Sequence, residues 1–343
     1  MKKTLSRWLQ DIWYKDPFIG VWLSPFSFFF IDFVKFRKFL YRIGVFKKHR
    51  LPVPVIIVGN ITVGGTGKTP LLVWLAERLK AEGYKPGIIS RGYGGNTNVW
   101  PQRVDANSTA EQVGDEAVLI ARQTACPMAV GPLRVDAAQL LLGQTDCNVI
   151  LSDDGLQHYA LERDIEIAVV DGERRFGNSY CLPAGPLREP IERLKSVDFI
   201  VVNGDTYEDG ELSMQISGNV AVNLVTRQEK PLQDFSGTHC HALAGIGNPE
   251  RFFKLLEANG VVCETHSFPD HHPFQADDIS FPAKAAKPPS LQETASPVLM
   301  TEKDAVKCLA FASIQHWYVP VKAIPEAGFS EQLLNLLSEK IRR

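Results

Sequence analysis

The residues best spaced for chemistry in this chain are Gly64-Gly65-Thr66-Gly67-Lys68-Thr69, at the end of the run from Val58 to Pro70. Three glycines so close together let the backbone fold around an anion and turn successive N–H groups toward it. Lys68 is then placed for the β- and γ-phosphates of a nucleotide, and the Thr69 hydroxyl for Mg²⁺. The P-loop pattern G-x-x-x-x-G-K-[ST] calls for a first glycine at position 62, where this chain has Thr62. The turn through Thr62 and Val63 must therefore begin in another way, while Thr62 to Thr69 as a whole is expected to cradle the phosphates of a nucleotide.

A nucleotide cradle needs a carboxylate for its metal. Asn148-Val-Ile-Leu-Ser-Asp153-Asp154 supplies two at the end of an apolar run, the position of a Walker B acid. The bland reading of Asp153 and Asp154 is a surface pair in the turn before Gly155, with Gln157 and His158 following. Phosphoryl transfer to an alcohol also needs a group to take or orient the hydroxyl proton. Asp115 opens a helical pattern, where it serves equally well as a helix cap or a base. Asp270, His271 and His272 stand between two prolines in Phe268-Pro-Asp-His-His-Pro-Phe274, a loop suited to metal binding or acid–base work. Adjacent histidines point apart, so one of them is free for a structural role. Arg91 in Arg91-Gly-Tyr-Gly-Gly95, and Arg188 with Glu189 in the loop from Cys181 to Pro190, suit phosphate or sugar recognition.

These groups need a scaffold, and the chain after residue 51 alternates apolar strand-like runs with helical periodicity, as a parallel α/β sheet requires. Strands are expected at 53–58, 85–90, 147–152, 165–170 and 198–203, with helices at 70–83, 116–124 and 134–143. The acidic, Gly-containing stretch 206–214 reads as a boundary or surface excursion. Strands at 219–224 and 239–244 open a second unit, in which Asn248 caps a helix with Pro249 at its first position. Gly245-x-Gly247 lacks the third glycine of a dinucleotide fingerprint. The stretch 281–297 reads as a polar helix and exposed connection. The expected division is 1–50, 51–218 and 219–343.

Forty-five per cent hydrophobic and 22% charged residues are the composition of a folded chain with a substantial core. Six cysteines without a C-x-x-C pair argue against a disulfide scaffold or zinc ribbon and for a reducing, cytoplasmic setting. The net charge of −2 gives no sign of a nucleic-acid partner, and nothing indicates an obligate protein partner. That total conceals a basic N-terminus: residues 1–50 hold eleven Lys/Arg against three Asp, leaving −10 for the rest. The same fifty residues hold fourteen of the thirty-three aromatics, and aromatics with cations are the composition of a membrane–water interface. The longest uncharged run within these fifty residues, 17–31, is fifteen residues, short of the roughly twenty that span a bilayer. This segment is therefore expected to lie on a membrane, or to pack on the body of the protein, and not to be a cleaved signal peptide.

Taken in order, Val63-Gly-Gly-Thr-Gly-Lys-Thr-Pro70, Ser90-Arg-Gly-Tyr-Gly94, Val113-Gly-Asp-Glu116, Asp153-Asp-Gly-Leu-Gln-His158, Pro183-Ala-Gly-Pro-Leu-Arg-Glu-Pro190, Phe268-Pro-Asp-His-His272 and Thr301-Glu-Lys-Asp-Ala305 resemble the tetraacyldisaccharide 4'-kinase family. The resemblance runs from the basic N-terminus past residue 305, and Thr62 is in keeping with it. It implies a P-loop NTPase-like α/β/α sandwich with a smaller C-terminal α/β unit and an amphipathic N-terminal helical segment. It further implies transfer of the γ-phosphate of ATP to the 4'-hydroxyl of a tetraacylated disaccharide 1-phosphate, giving lipid IVA in lipid A biosynthesis at the cytoplasmic face of a Gram-negative inner membrane. On this resemblance Lys68 and Thr69 hold phosphate and Mg²⁺, and Asp153 and Asp154 serve the metal. Asp115 is the base, His271 or His272 its partner, and Arg134 and Arg188, with Glu189 beside them, meet the substrate. The competing class is a membrane-associated P-loop regulatory ATPase. Such proteins carry Lys before the paired glycines, where this chain has Val63, and have no use for an Asp-His-His loop. A GTP switch would want Asn-Lys-x-Asp, and Thr301-Glu-Lys-Asp304 lacks the Asn.

Overall fold

The computed structural model describes residues 8–9, 12–14, 17–105, 107–281 and 296–342. Most of the stretch 281–297, expected to be a polar helix and connection, lies outside them. In chain order the elements are α1 (Pro17–Arg42), β1 (Val55–Gly59), α2 (Lys68–Ala81), β2 (Pro86–Ser90), β3 (Gln102–Val104), α3 (Ala110–Val113), α4 (Asp115–Thr124), β4 (Met128–Val130), α5 (Arg134–Gln144), β5 (Val149–Asp153), β6 (Ile165–Asp171), β7 (Phe199–Asn203) and β8 (Glu211–Ser217). They continue with β9 (Val220–Asn223), β10 (Glu229–Pro231), β11 (Cys240–Ala244), α6 (Pro249–Ala258), β12 (Cys263–Ser267), β13 (Val298–Thr301), α7 (Glu302–Cys308), β14 (His316–Val319), β15 (Lys322–Pro325) and α8 (Phe329–Arg342).

Nine strands form the larger sheet in the order β15-β8-β7-β6-β1-β5-β2-β4-β3. Its central strands from β7 to β4 are parallel, and the edge strands β3 and β15 run antiparallel to their neighbours. A strand covered on both faces must be apolar at every position. In β1, Ile56 and Val58 join one core with Leu71, Leu75, Val118 and Phe329. Val55 and Ile57 face the opposite core with Ala138, Leu141 and Leu187. The result is the expected α/β/α sandwich. Six strands form the smaller sheet, in the order β10-β9-β14-β13-β11-β12. The chain then recrosses, since β15 pairs with β8 and α8 packs Phe329, Leu333 and Leu337 into the first core.

The acidic stretch at 206–214, read as a boundary or surface excursion, is exposed over 206–210 and then enters the larger sheet. Residues 211–217 form a strand of the larger sheet beside β7. Met214 is buried, and the one acid at the strand's start, Glu211, is paired with Arg175 at 2.6 Å. Neutralised at its root, the strand is free to bury the apolar residues that follow.

Helix α1 runs 26 residues with Pro25 inside it. One side docks on the loop from Cys181 to Leu187: the Ser27 hydroxyl donates to the Cys181 carbonyl at 2.7 Å and accepts from the Ala184 N–H at 3.1 Å. Gly20 fits here because a Cβ would stand 2.9 Å from the Ala184 carbonyl oxygen. The other side leaves Trp22, Phe26, Phe28, Phe29, Phe33, Phe36 and Phe39 exposed, Trp22 to 84%. No described helix is long and apolar enough to cross a membrane.

Candidate active site

The phosphate loop leaves β1 and re-enters helix at Lys68, with Gly64 (φ +115°) and Gly67 (φ +99°) in conformations that disfavour any side chain. Thr62 does not need such freedom. It is extended and pairs as an isolated bridge with Leu187, while Val63 N–H donates to the Pro186 carbonyl at 2.8 Å and Arg188 N–H to the Ile61 carbonyl at 2.6 Å. The proline-punctuated loop from 183 to 190 thus serves as a second wall for the turn, which explains a threonine at the first P-loop position. On the far side Asn203, at the end of β7, donates to the Thr66 carbonyl at 3.1 Å.

Asp153 and Asp154 lie at the end of β5, directly beside β1. Asp154 takes a left-handed φ of 47°, a conformation aspartate tolerates better than most residues. Its carboxylate meets Arg188 Nη1 at 2.8 Å and Lys68 Nζ at 3.6 Å. Burial alone would raise its pKa, but the two cations outweigh burial and hold it well below the carboxylate range. Asp153 accepts from the Ser90 hydroxyl at 3.0 Å. Burial first, then the charges of Glu116 and Asp154, push its pKa upward. Arg134 is buried, donating to the carbonyls of Gly131 and Asp153, both at 3.3 Å. Burial lowers its pKa to about 10, against the opposing pull of the two aspartates. Glu189 is also buried, accepting from Gln157 at 2.9 Å and Tyr159 at 2.5 Å, with Arg193 3.4 Å away. In this arrangement Arg188 faces the aspartates, whereas Arg134 and Glu189 spend their polar atoms inside the protein.

Asp115 is the first residue of α4, after Gly114 at φ +92°, and its side chain caps only its neighbour, Glu116 N–H, at 2.9 Å. Both of its oxygens lie 3.1 Å from His271 Nδ1, with Lys307 Nζ 3.7 Å from one of them. Burial opposes ionisation of Asp115, but His271, Lys303 and Lys307 together bring its pKa down to about 2. For His271 burial again opposes the charge, and the bond to Asp115 more than reverses it, raising the pKa. The two residues lie 156 positions apart, Asp115 at the start of α4 and His271 in the loop that follows β12. Tyr93, of the Arg91-Gly-Tyr-Gly-Gly95 loop, meets His271 with its ring tilted by 57° and centroids 4.9 Å apart. His272 turns away to Asp278 at 2.9 Å, stacks on Phe268 and meets Phe274 edge to face. The cause is His271 itself, whose left-handed φ of 57° redirects the chain between them. Lys303 bridges Glu116 and Asp270 at 2.9 and 3.0 Å, and the charge of Glu116 reaches Asp153, so the two clusters are contiguous.

Several contacts have no clear signal in the sequence. Gly247, in the turn after β11, presses against the phosphate loop so closely that a Cβ there would stand 2.4 Å from Gly65 N. Arg174 Nη1 holds the Gly247 carbonyl at 2.8 Å, and Arg251 Nη2 reaches Asp171 at 2.8 Å from the same turn and helix. Asn248 is at the cap position as expected, yet its amide lies 3.4 Å from Asp171 and makes no capping bond. Lys303 sits in Thr301-Glu-Lys-Asp-Ala305 and Lys307 two residues beyond it, both on α7, where the sequence alone assigns them no role.

The donors fit a nucleotide with its metal. Asp154 Oδ1 and Thr66 Oγ1 are buried without a hydrogen-bond partner, hard oxygens of the kind that Mg²⁺ or its water shell takes. A P-loop flanked by paired aspartates, facing an aspartate–histidine pair across a basic bridge, defines the class as a P-loop phosphotransferase. The profile of the tetraacyldisaccharide-1-P 4'-kinase family matches residues 19–338, and the chain belongs to that family. It is 50% identical over 331 residues to the tetraacyldisaccharide 4'-kinase of Nitrosococcus oceani, covering 96% of this chain and 94% of that one. It is 47% identical over 345 residues to that of Methylobacillus flagellatus, covering 100% and 99%. Among solved structures it resembles LpxK from Aquifex aeolicus in complex with ATP, with a TM-score of 0.76 and 27% identity over 94% of this chain and 99% of that one.

Proposed function

We propose that this chain transfers the γ-phosphate of ATP to the 4'-hydroxyl of a tetraacyldisaccharide 1-phosphate, forming lipid IVA on the way to lipid A. The observation that carries this reading is the Asp115–His271 pair beside the phosphate loop: a regulatory ATPase has no alcohol to activate, whereas an alcohol kinase does. Lys68 and the backbone of residues 64–69 hold the phosphates. Thr69 and Asp154, with Asp153 once ionised, hold Mg²⁺, which when bound neutralises charge on the transferring phosphoryl group. Asp115 accepts the hydroxyl proton as the sugar oxygen bonds to the γ-phosphorus and the bond to the departing ADP breaks. His271 orients the carboxylate and shares its proton. Arg188, already at the aspartates, is aimed at the transferred phosphate. Arg134 acts from behind by fixing the Asp153 backbone, and Glu189 positions Gln157.

The site belongs at a membrane surface, the cytoplasmic face of the inner membrane on this reading. A four-chain lipid does not leave a bilayer readily, since each buried CH₂ is worth about 0.8 kcal/mol. The exposed aromatics of α1, set among basic residues, supply a face that enters the interface without spanning it. The test is transfer of labelled γ-phosphate from ATP to tetraacyldisaccharide 1-phosphate in detergent micelles with Mg²⁺. Lipid labelling that disappears in Lys68→Ala supports the reading; ATP hydrolysis without lipid labelling sinks it.

A further inference from the structure

Outside the catalytic cluster, one group of side chains has ligand chemistry of its own. His241 on β11 pairs in register with Glu264 on β12, and Leu243 with His266, so all four side chains project from one face of the smaller sheet. His241 Nδ1 and His266 Nε2 stand 3.1 Å apart, and one ligand atom each of His241, Glu264 and His266 falls within 4.8 Å of the others. We propose that these three residues bind a divalent transition-metal ion, zinc(II) foremost.

The geometry suits such an ion. Two imidazole nitrogens each about 2.0–2.1 Å from one metal are about 2.9 Å apart at a right angle and about 3.3 Å apart at the tetrahedral angle, bracketing the observed separation. Phe281 stacks on both rings, at centroid distances of 4.3 and 4.2 Å, so it fixes their planes and shields them while leaving the in-plane nitrogens turned toward each other. Imidazole nitrogen with one carboxylate favours zinc over Mg²⁺, which keeps to oxygen. His239 lies 4.0 Å from Glu264 and edge-on to His241, within a rotamer change of serving as a fourth ligand. The site is also well placed to matter. Strand β12 is the edge of its sheet, and it runs straight into the Phe268-to-Phe274 loop that carries His271. A metal between β11 and β12 ties down the strand from which that loop departs.

The experiment uses the full-length enzyme, stripped with a chelator and kept in excess Mg²⁺, with Zn²⁺ titrated in competition with a chromogenic chelator. One equivalent is expected to bind, with affinity falling by at least ~100-fold in His266→Ala and by about 10-fold in Glu264→Gln, and unchanged in His271→Ala. Zinc K-edge absorption is expected to show at least two imidazole ligands. Because Glu264 is exposed, its glutamine variant folds whatever happens to His266→Ala, and Zn²⁺ should raise its melting temperature less than that of the parent. The proposal is overturned by Zn²⁺ binding no tighter in the parent than in His266→Ala and Glu264→Gln, or by binding that depends on His271 instead.

Discussion

Replacing Gly247 by alanine should cripple phosphoryl transfer without unfolding the protein, although no dinucleotide fingerprint or P-loop pattern includes this residue. A Cβ at 247 would stand 2.4 Å from Gly65 N and 3.2 Å from Gly64 Cα, and all of these neighbours are backbone. Ordinary contact begins at 3.4 Å, so the turn after β11 and the phosphate loop must separate by about 1 Å. Misplacement of a catalytic constellation by ~1 Å costs on the order of 10²-fold in rate. The φ of Gly247 is not in the left-handed region, so alanine adds no backbone strain and the melting temperature should stay near that of the parent. Gly65→Ala is the informative control, since its Cβ would meet Gly247 at 3.8 Å, a contact the protein accommodates. Steady-state transfer to the lipid acceptor with saturating ATP, paired with thermal melts, checks this. Full turnover in Gly247→Ala would refute the claim that the two units meet functionally at the phosphate loop.

Asp115→Asn should lower kcat by ~10²–10⁴-fold with little change in ATP affinity, as expected for a proton acceptor; near-normal turnover would remove Asp115 from that role. The His271–Asp115 pair should also make stability depend on pH. His271 has a raised folded pKa, so its contribution is complete below about 6.5 and is lost as pH climbs through the higher folded value; that of Asp115 holds above about 3.8 and is lost as pH falls toward about 2. The melting-temperature gap between the parent and His271→Ala should therefore be widest near pH 5–6 and shrink in alkaline buffer, and a gap independent of pH would contradict the pairing. Asn203→Ala removes one bond to the Thr66 carbonyl, worth about 0.5–1.5 kcal/mol, and calorimetry should find ATP binding weakened by roughly two- to tenfold. Trp22→Ser with Phe29→Ser should reduce partitioning onto anionic vesicles while leaving ATP binding intact; unchanged partitioning would dismiss α1 as the membrane face.

What was legible in the sequence was local. The phosphate loop, the Asp153–Asp154 pair and most strands are written in short runs whose spacing and period reveal them, because strand, turn and helix N-terminus are neighbours along the chain. Contacts made across the fold leave no such trace. Periodicity gave Asp115 as a cap or a base with equal force, and only resemblance joined it to the Asp-His-His loop. The structure separates the two histidines by a single backbone torsion, the left-handed φ at His271, which aims one ring at Asp115 and the next at Asp278. Thr62 reads as a defect in the P-loop pattern only until Leu187 is seen bridging it.

The same distinction explains why the chemistry lies between two sheets. A P-loop on one sheet holds phosphates at the ends of parallel strands, but its own loops are occupied: Asp154 is drawn to Lys68 and Arg188, and burial keeps Asp153 from ionising readily. The proposed base must be kept ionised by charges from elsewhere, and Asp115 receives them from His271, Lys303 and Lys307, all of the second unit. Gly247 brings that unit's backbone against the phosphate loop, so the unit whose charges act on Asp115 also touches the phosphate cradle. On this argument a substitution that separates the units should depress transfer to the lipid more than it depresses ATP binding, because the phosphate cradle is built on one side and the base is tuned from the other.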